Sequence, residues 1–320
     1  MKKSSNITKK LILSLSAMLA MSSAFAQSQT RILVGYAPGG TTDVLARLVA
    51  EGIGKQLGTD VIVENRPGAS GNIAAAQVAS ARNDGKTILF APSSHATNAT
   101  LYKTSFDTEK DFSSIGLVAA TPYVLVVHPS LPVKNVSELI AYLKSRKGEV
   151  AYASASPGTA QHLAGELFKK SANVDMLHVP YKGSAAAFPD LAAGRTPIMF
   201  DNIAVILPHI KSGAVKAIAV TSPKRSALLP DVPTVAESGL PNFEMTGWFG
   251  MFVPSSTDVA TVEKLNAALN QTINEENFQK RLQQIGADSM VTTPKNANKY
   301  VKDEISRWNG VINSANISIK

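Results

Sequence analysis

Two rhythms of apolar residues alternate along the chain. Short unbroken runs such as Arg31-Ile32-Leu33-Val34 read as strands buried on both faces. Between the runs, apolar residues recur at helical spacing, as in Val44, Leu45, Leu48, Val49 and Ile53. The first part therefore predicts a strand over 31–34, a helix over 43–57 closed by Gly58, a strand over 61–64, an alanine-rich helix over 72–81 and a strand over 87–91. Residues 65–71 and 83–85 are turns, because Pro and Gly set their dihedrals. Such alternation implies α/β architecture with a parallel sheet and right-handed crossovers.

A second alternation starts after Pro129 and Pro132. It predicts strands over 149–153, 176–179, 198–201 and 215–221, with helices over 159–171, 184–193 and 203–211. Two extended apolar runs, 123–128 and 246–253, separate the alternations and read as crossings between two lobes. Two helices, near 258–285 and 294–315, then pack back on the first lobe. The expected division is 27–123 with 249–320 as the first lobe and 124–248 as the second. Two crossing segments make a natural hinge.

The N-terminus points to export. Lys2, Lys3, Lys9 and Lys10 form a basic region, residues 11–21 a short apolar one, and Ala24-Phe25-Ala26 a small-x-small cleavage pattern. A cleaved signal peptide over 1–26 is expected, and with it a periplasmic location. The chain has no cysteine, which excludes thiol catalysis, thiolate zinc sites, iron–sulfur clusters and a lipid-modified cysteine anchor. Four lysines before residue 27 account for half of the formal +8 charge. The remaining basic residues are scattered among acids, and aromatics make up only 6%, so neither a phosphate-tracking stripe nor a base-stacking platform is present. Nucleic acid is not an expected partner.

Candidate chemistry concentrates in loops after strands. Tyr36-Ala37-Pro38-Gly39-Gly40-Thr41-Thr42-Asp43 joins the first strand to the first helix. Gly39 and Gly40 let backbone approach a ligand closely. The helix start leaves N–H groups unpaired at the positive end of the dipole, a ready site for a carboxylate or phosphate. Thr41 or Thr42 caps the helix and leaves the other hydroxyl for a ligand, while Asp43 suits the first turn structurally. Ser154-Ala155-Ser156-Pro157-Gly158-Thr159 repeats the arrangement in the second alternation. Both loops sit where open α/β sheets bind ligands, beyond the carboxyl ends of strands. Ser93, Ser94 and Asp201, with Asn202, follow other strands and either line the same cleft or cap helices. Lys182 either neutralises a ligand carboxylate or is a solvated loop lysine.

Enzyme signatures are missing. No H-E-x-x-H, no G-x-S-x-G and no G-x-G-x-x-G in the first β-α turn occur, and Ser80 stands where a phosphate-binding loop ending in Gly85-Lys86-Thr87 needs its first glycine. No catalytic residue, metal or cofactor is assigned. A serine-histidine-aspartate set assembled in space is the enzyme alternative, testable at Ser154.

The same loops, with Val63-Glu64-Asn65-Arg66-Pro67-Gly68-Ala69, His178-Val179-Pro180-Tyr181-Lys182-Gly183, Met199-Phe200-Asp201 and Leu229-Pro230-Asp231-Val232-Pro233-Thr234, resemble the substrate-binding proteins of tripartite tricarboxylate transporters, the Bug family. The similarity runs over nearly all of the chain after residue 26. It implies a two-lobed periplasmic-binding-protein fold of the type II kind, each lobe a mostly parallel sheet flanked by helices. It also implies capture of a small carboxylate and delivery to a membrane permease. Its ligand loops correspond to 36–42 and 154–159. The expected ligand set is Tyr36, Ala37, Gly39, Gly40, Thr41 and Thr42, then Ser93 and Ser94, then Ser154, Ala155, Ser156, Thr159 and Asp201. Ser156-Pro157 departs from the family's usual glycine-bearing second loop and stiffens it. Ser70 breaks the glycine pair of the turn after the second strand. A monomer suits a receptor that must close, and signalling to a sensor kinase is the alternative to transport.

Overall fold

The computed structural model describes residues 29–314 and 317–319. The signal peptide expected over 1–26 lies outside them. In chain order the first part runs β1 (Thr30–Val34), α1 (Thr41–Leu57), β2 (Val61–Asn65), α2 (Asn72–Ala79), β3 (Thr87–Pro92) and α3 (Ser94–Leu101). β4 (Phe112–Val127) leads to α4 (Val136–Arg146). Then come β5 (Ala151–Ser154), α5 (Ala160–Ala172), β6 (Leu177–Pro180), α6 (Ser184–Ala192), β7 (Ile198–Asn202), α7 (Ile203–Lys211) and β8 (Lys216–Val220). β9 (Thr246–Pro254), α8 (Val259–Asn274), α9 (Glu276–Gln284), β10 (Asp288–Ser289) and α10 (Pro294–Ser314) follow.

The expected parallel order appears twice. β1 lies between β2 and β3, and β5 lies between β6 and β7, all parallel. β4 and β9 join the triplets antiparallel and make the sheet mixed. Residues Phe112–Pro122 of β4 pair with β9, whereas Tyr123–Val127 pair with β7 and, from Val124 on, with β8. The first crossing is thus a point within one long strand, which begins eleven residues before the run at 123–128 that signals it. The chain returns at Met245, whose N–H donates to Thr221 O at 2.9 Å, and Thr246, which pairs with Pro122.

Burial explains the elements. Ile32, Leu33 and Val34 are fully buried, and Leu45, Leu48, Val49 and Ile53 of α1 pack on the sheet face that carries Ile32 and Val34, while Leu33 packs on the other face with Val78 of α2. Val44, expected in the same stripe, is 37% exposed, because it falls on the flank of the helix turned to solvent. Gly58 ends α1 in the left-handed region, at φ 62°. Three helices depart from the expectation. α3 and α4 were not predicted, and the single helix expected over 258–285 breaks at Glu275, whose extended backbone separates α8 from α9. α10 reaches both halves of the sheet. Its Ala297 and Val301 pack with Trp248 and Phe252, and its Trp308 and Ile312 with the cluster around Leu125 and Phe200. Between them, Glu304 accepts hydrogen bonds from the indole N–H groups of Trp248 and Trp308 at 3.0 and 3.1 Å. Among the described residues no helix is long and apolar enough to cross a membrane.

α5 is held against β5 by a close contact: a Cβ on Gly165 would sit 2.2 Å from the Tyr152 ring. Gly165→Ala should therefore lower stability by about 1–3 kcal/mol through overpacking, despite alanine's better helix propensity. Gly310→Ala, on the exposed side of α10 with open space around it, should raise stability by up to about 1 kcal/mol. Urea unfolding midpoints of the two variants, moving in opposite directions, check the assignment.

Candidate ligand-binding site

The loop after β1 is built around an internal carboxylate. Asp43 Oδ2 accepts from the Gly39 N–H at 3.0 Å and from Arg47 Nε at 3.1 Å. Its Oδ1 accepts from Arg47 Nη2 and Asn65 Nδ2, both at 2.9 Å. Asn65 Nδ2 also donates to Tyr36 O at 3.0 Å, which fixes the loop to β2. Burial pushes the Asp43 carboxyl up, but these hydrogen bonds and the Arg47 charge outweigh it and hold the group below the usual range. The Gly39 N–H is thus used inside the loop. At Gly35 only glycine fits, because a Cβ would lie 2.3 Å from Gly71 Cα. The Tyr36 hydroxyl is held by Ser94 Oγ at 2.6 Å and Ser70 O at 2.9 Å.

Gly40 is the N-cap of α1 and supplies no side-chain oxygen, so neither Thr41 nor Thr42 caps the helix as expected. The N–H groups of the first turn stay open to a ligand. Thr41 Oγ1 is buried and has no hydrogen-bond partner among the described residues. α5 begins in the same way. Thr159 is its N-cap, yet its hydroxyl donates to Ser156 O at 2.7 Å and caps nothing. α3 starts at Ser93 and α6 at Gly183, again without a side-chain cap bond. Gly183 has φ 117°, a conformation that favours glycine.

These four helix starts meet at one crevice. It has an empty volume of about 550 Å³, counting space open to solvent. From the first half of the chain come Tyr36, Ala37, Gly40, Thr41, Thr42, Ser93 and Ser94, and from the second come Ala155 and Thr159, all expected. Ala160, Gln161, Gly183, Ser184, Ala185 and Asn202 add to the second side, while Pro92, Phe249 and the ring of Tyr123 bring apolar surface. No lysine, arginine, histidine or carboxylate is among the lining residues. The crevice therefore offers backbone N–H groups, hydroxyls and amides backed by helix dipoles, a field suited to an anion.

Four expected site residues lie elsewhere. Gly39 is exposed and turned to Asp43. Ser154 is fully buried; its hydroxyl bridges Ser156 O at 3.1 Å and His178 Nε2 at 2.7 Å. Ser156 serves the loop through its carbonyl, which accepts from Ser154 and Thr159. Asp201 is 1% exposed and sits beneath the lining, where Oδ1 accepts from Ser184 Oγ at 2.7 Å, the Asn202 N–H at 2.8 Å and Gln161 Nε2 at 3.3 Å. Lys182 is exposed and outside the lining, as a solvated loop lysine would be. Gln161 and Ser184 escaped the sequence reading, because nothing in their local pattern marks them. Gly183 was visible only as a glycine after a strand.

A two-part α/β sheet with a crevice at the carboxyl ends of its parallel strands, between helix starts, is the arrangement of the periplasmic-binding-protein fold. Residues 45–317 match the sequence model of the tripartite tricarboxylate transporter family receptor, and the chain belongs to that family. Among solved structures it is similar to R. palustris Rpa4515 with adipate, at 36% identity and TM-score 0.88 over 92% of this chain and 99% of that one. It is also similar to the periplasmic binding protein BugD, at 35% identity and TM-score 0.87 over 92% and 99% of the chains. MatC from Rhodopseudomonas palustris with bound malate matches at 33% identity and TM-score 0.83, over 90% and 100%.

Burial pushes the Asp201 carboxyl up to about 6 from an ordinary 3.8, against the hydrogen bonds from Ser184, Asn202 and Gln161 that lower it. With the folded value raised, the protonated acid's share of stability is full below about pH 4 and is lost as pH climbs through about 6. Asp201→Asn should thus match the parent at pH 4 and exceed it by roughly 1–3 kcal/mol at pH 8. Thermal melts of both proteins across that range check the sign and the window.

Proposed function

We propose that this protein is a periplasmic receptor that captures a small organic carboxylate between two lobes and delivers it to a membrane permease of the tripartite tricarboxylate type. The observation that carries this reading is the meeting of four helix starts without side-chain caps at one crevice lined by no ionised side chain. The adipate and malate held by two relatives support the ligand class. Residues 1–26 direct export and are removed, and the receptor works as a monomer.

In this reading the lobes are 27–123 with 249–320 and 124–248, and closure turns on β4 near Tyr123 and on the return at Met245. The ligand carboxylate accepts from first-turn N–H groups of α1 and from Thr41 Oγ1 on one side. Thr159, the α5 start and Ser184 serve the other side. Hydrogen bonds to a charged group contribute about 1.5–3 kcal/mol each. Three or four of them, set against ordering and closure, correspond to about micromolar binding near −8 kcal/mol. Two contacts bridge the halves beside the crevice and favour the closed form: Thr97 Oγ1 donates to Gly158 O at 2.7 Å, and the Tyr102 hydroxyl to Pro157 O at 2.9 Å. The Ser154–His178 pair does not favour a hydrolase, because the serine is fully buried and away from the crevice lining.

Calorimetry on the protein lacking residues 1–26, with adipate, malate and a panel of mono- and dicarboxylic acids, tests the proposal. At least one acid should bind at micromolar levels, and Thr41→Val should weaken it about tenfold or more. Heat from neutral sugars or cations alone would overturn the reading.

A further inference from the structure

We propose that Asp201 takes up a proton when the crevice captures its anion, so that ligand binding and proton binding are linked. The inference rests on the carboxylate-receptor reading and adds to it a second site, for a proton, on a residue beneath the lining.

The geometry of Asp201 is one-sided. All three of its hydrogen bonds land on Oδ1, from Ser184, Gln161 and the Asn202 N–H, and among the described residues Oδ2 receives none. The carboxyl is 1% exposed, and among the described residues it makes no ion pair. The elements around it bring no cation. From β4, Val124 lies opposite it and Tyr123 beside it, and burial holds the Tyr123 hydroxyl in its neutral form. From α5, His162 follows Gln161; its Nδ1 accepts from the Gly158 N–H at 3.0 Å, and burial lowers it to about 4. His178 on β6 stacks on His162 with ring centroids 4.0 Å apart, and burial lowers it to about 3. The first turn of α6 carries no acid or base, and His209 and Lys211 of α7 stand in its last turn. β5 contributes Ser154, whose hydroxyl is engaged with His178.

Asp201 therefore depends on neutral donors and on the positive starts of α5 and α6. A captured carboxylate competes for the same groups, because Ser184 and Gln161 both line the crevice and both bond to Asp201. Two negative charges one hydrogen bond from the same residues disfavour each other's ionised form. The ligand stays ionised, since it is to hold several N–H and O–H donors directly. The proton goes to Asp201, whose carboxyl in the empty crevice is already pushed up to about 6 by burial. The balance is simple: solvent or buffer gives up one proton, an O–H bond forms on Oδ2, and the carboxyl becomes neutral. Release of the ligand returns the proton.

The test is calorimetry of adipate binding at pH 7, in two buffers of different ionisation enthalpy, with the protein and with Asp201→Asn. The parent should take up close to one proton per adipate, and its affinity should fall up to tenfold per pH unit between pH 6.5 and 8.5. The variant should show neither effect. Heat that is independent of buffer, or equal uptake in the variant, would overturn the inference and leave the receptor reading standing. Absence of binding by adipate, malate and every acid of the panel overturns the receptor reading, and this inference falls with it. Should Asp201→Asn fail to fold, carboxyl NMR of the parent decides. One buried aspartate should titrate above pH 7 once adipate is added, and an unmoved titration midpoint refutes the linkage.

Discussion

Everything at the crevice depends on one unmet requirement: the first turn of a helix has N–H groups with no partner in the helix. In most helices a side chain at the cap answers it. Asn135 does so for α4, Asn202 for α7 and Asp258 for α8. The starts of α1, α3, α5 and α6 lack that answer, as do those of α2 and α9, and the first four face the same space. Their placement follows from topology. α1 and α5 each leave the central strand of a parallel triplet, where the chain turns to one side and later to the other. That switch point opens a gap between neighbouring loops. Fold and recognition are therefore one arrangement, because the parallel order sets the helix starts side by side.

Two buried acids frame the space in opposite ways. Asp43 takes the Gly39 N–H together with Arg47 and Asn65, stays ionised, and stiffens the loop from within. Among the described residues Asp201 has no cation partner and accepts only from neutral donors. The difference lies in partners more than in burial: a guanidinium beside one carboxylate offsets its desolvation, and hydroxyl and amide groups beside the other do so only in part. One acid is a fixed brace, and the other is a group whose charge depends on what lies above it.

The strands and the two glycine-bearing loops were legible, because unbroken apolar runs beside helical spacing leave little choice of fold class. Their burial bears this out at Ile32, Leu33 and Val34. α3 was hidden, since Ser94-His95-Ala96-Thr97-Asn98-Ala99-Thr100-Leu101 has no apolar stripe; it earns its place by packing on α10. α4 carried a readable start in Asn135 and Glu138: the Glu138 N–H donates to the Asn135 cap oxygen, and the Glu138 carboxylate accepts from the Asn135 side-chain amide and the Lys134 N–H. The break at Glu275 had no proline or glycine to mark it. At the crevice, hydroxyl-bearing loop residues were legible but not their directions: Ser154 Oγ and the Ser156 carbonyl bond within the loop, and neither residue is in the lining. Gln161 and Ser184 belong to segments far apart in sequence and meet over Asp201, where Gln161 Nε2 also donates to Ser184 Oγ at 3.2 Å.

In the proposed receptor the grip on charge is made chiefly of main chain, and that has an evolutionary consequence. A point mutation cannot delete an amide hydrogen except by introducing proline, so the part of the crevice that handles the negative group is shielded from drift. The side chains of Pro92, Tyr123, Phe249, Ala155 and Ala185 in the lining have no such shield. Substitutions there resize the chamber that holds the carbon skeleton and leave the anchoring of its acid group untouched. A lineage built on this plan can change its diet of acids one side chain at a time.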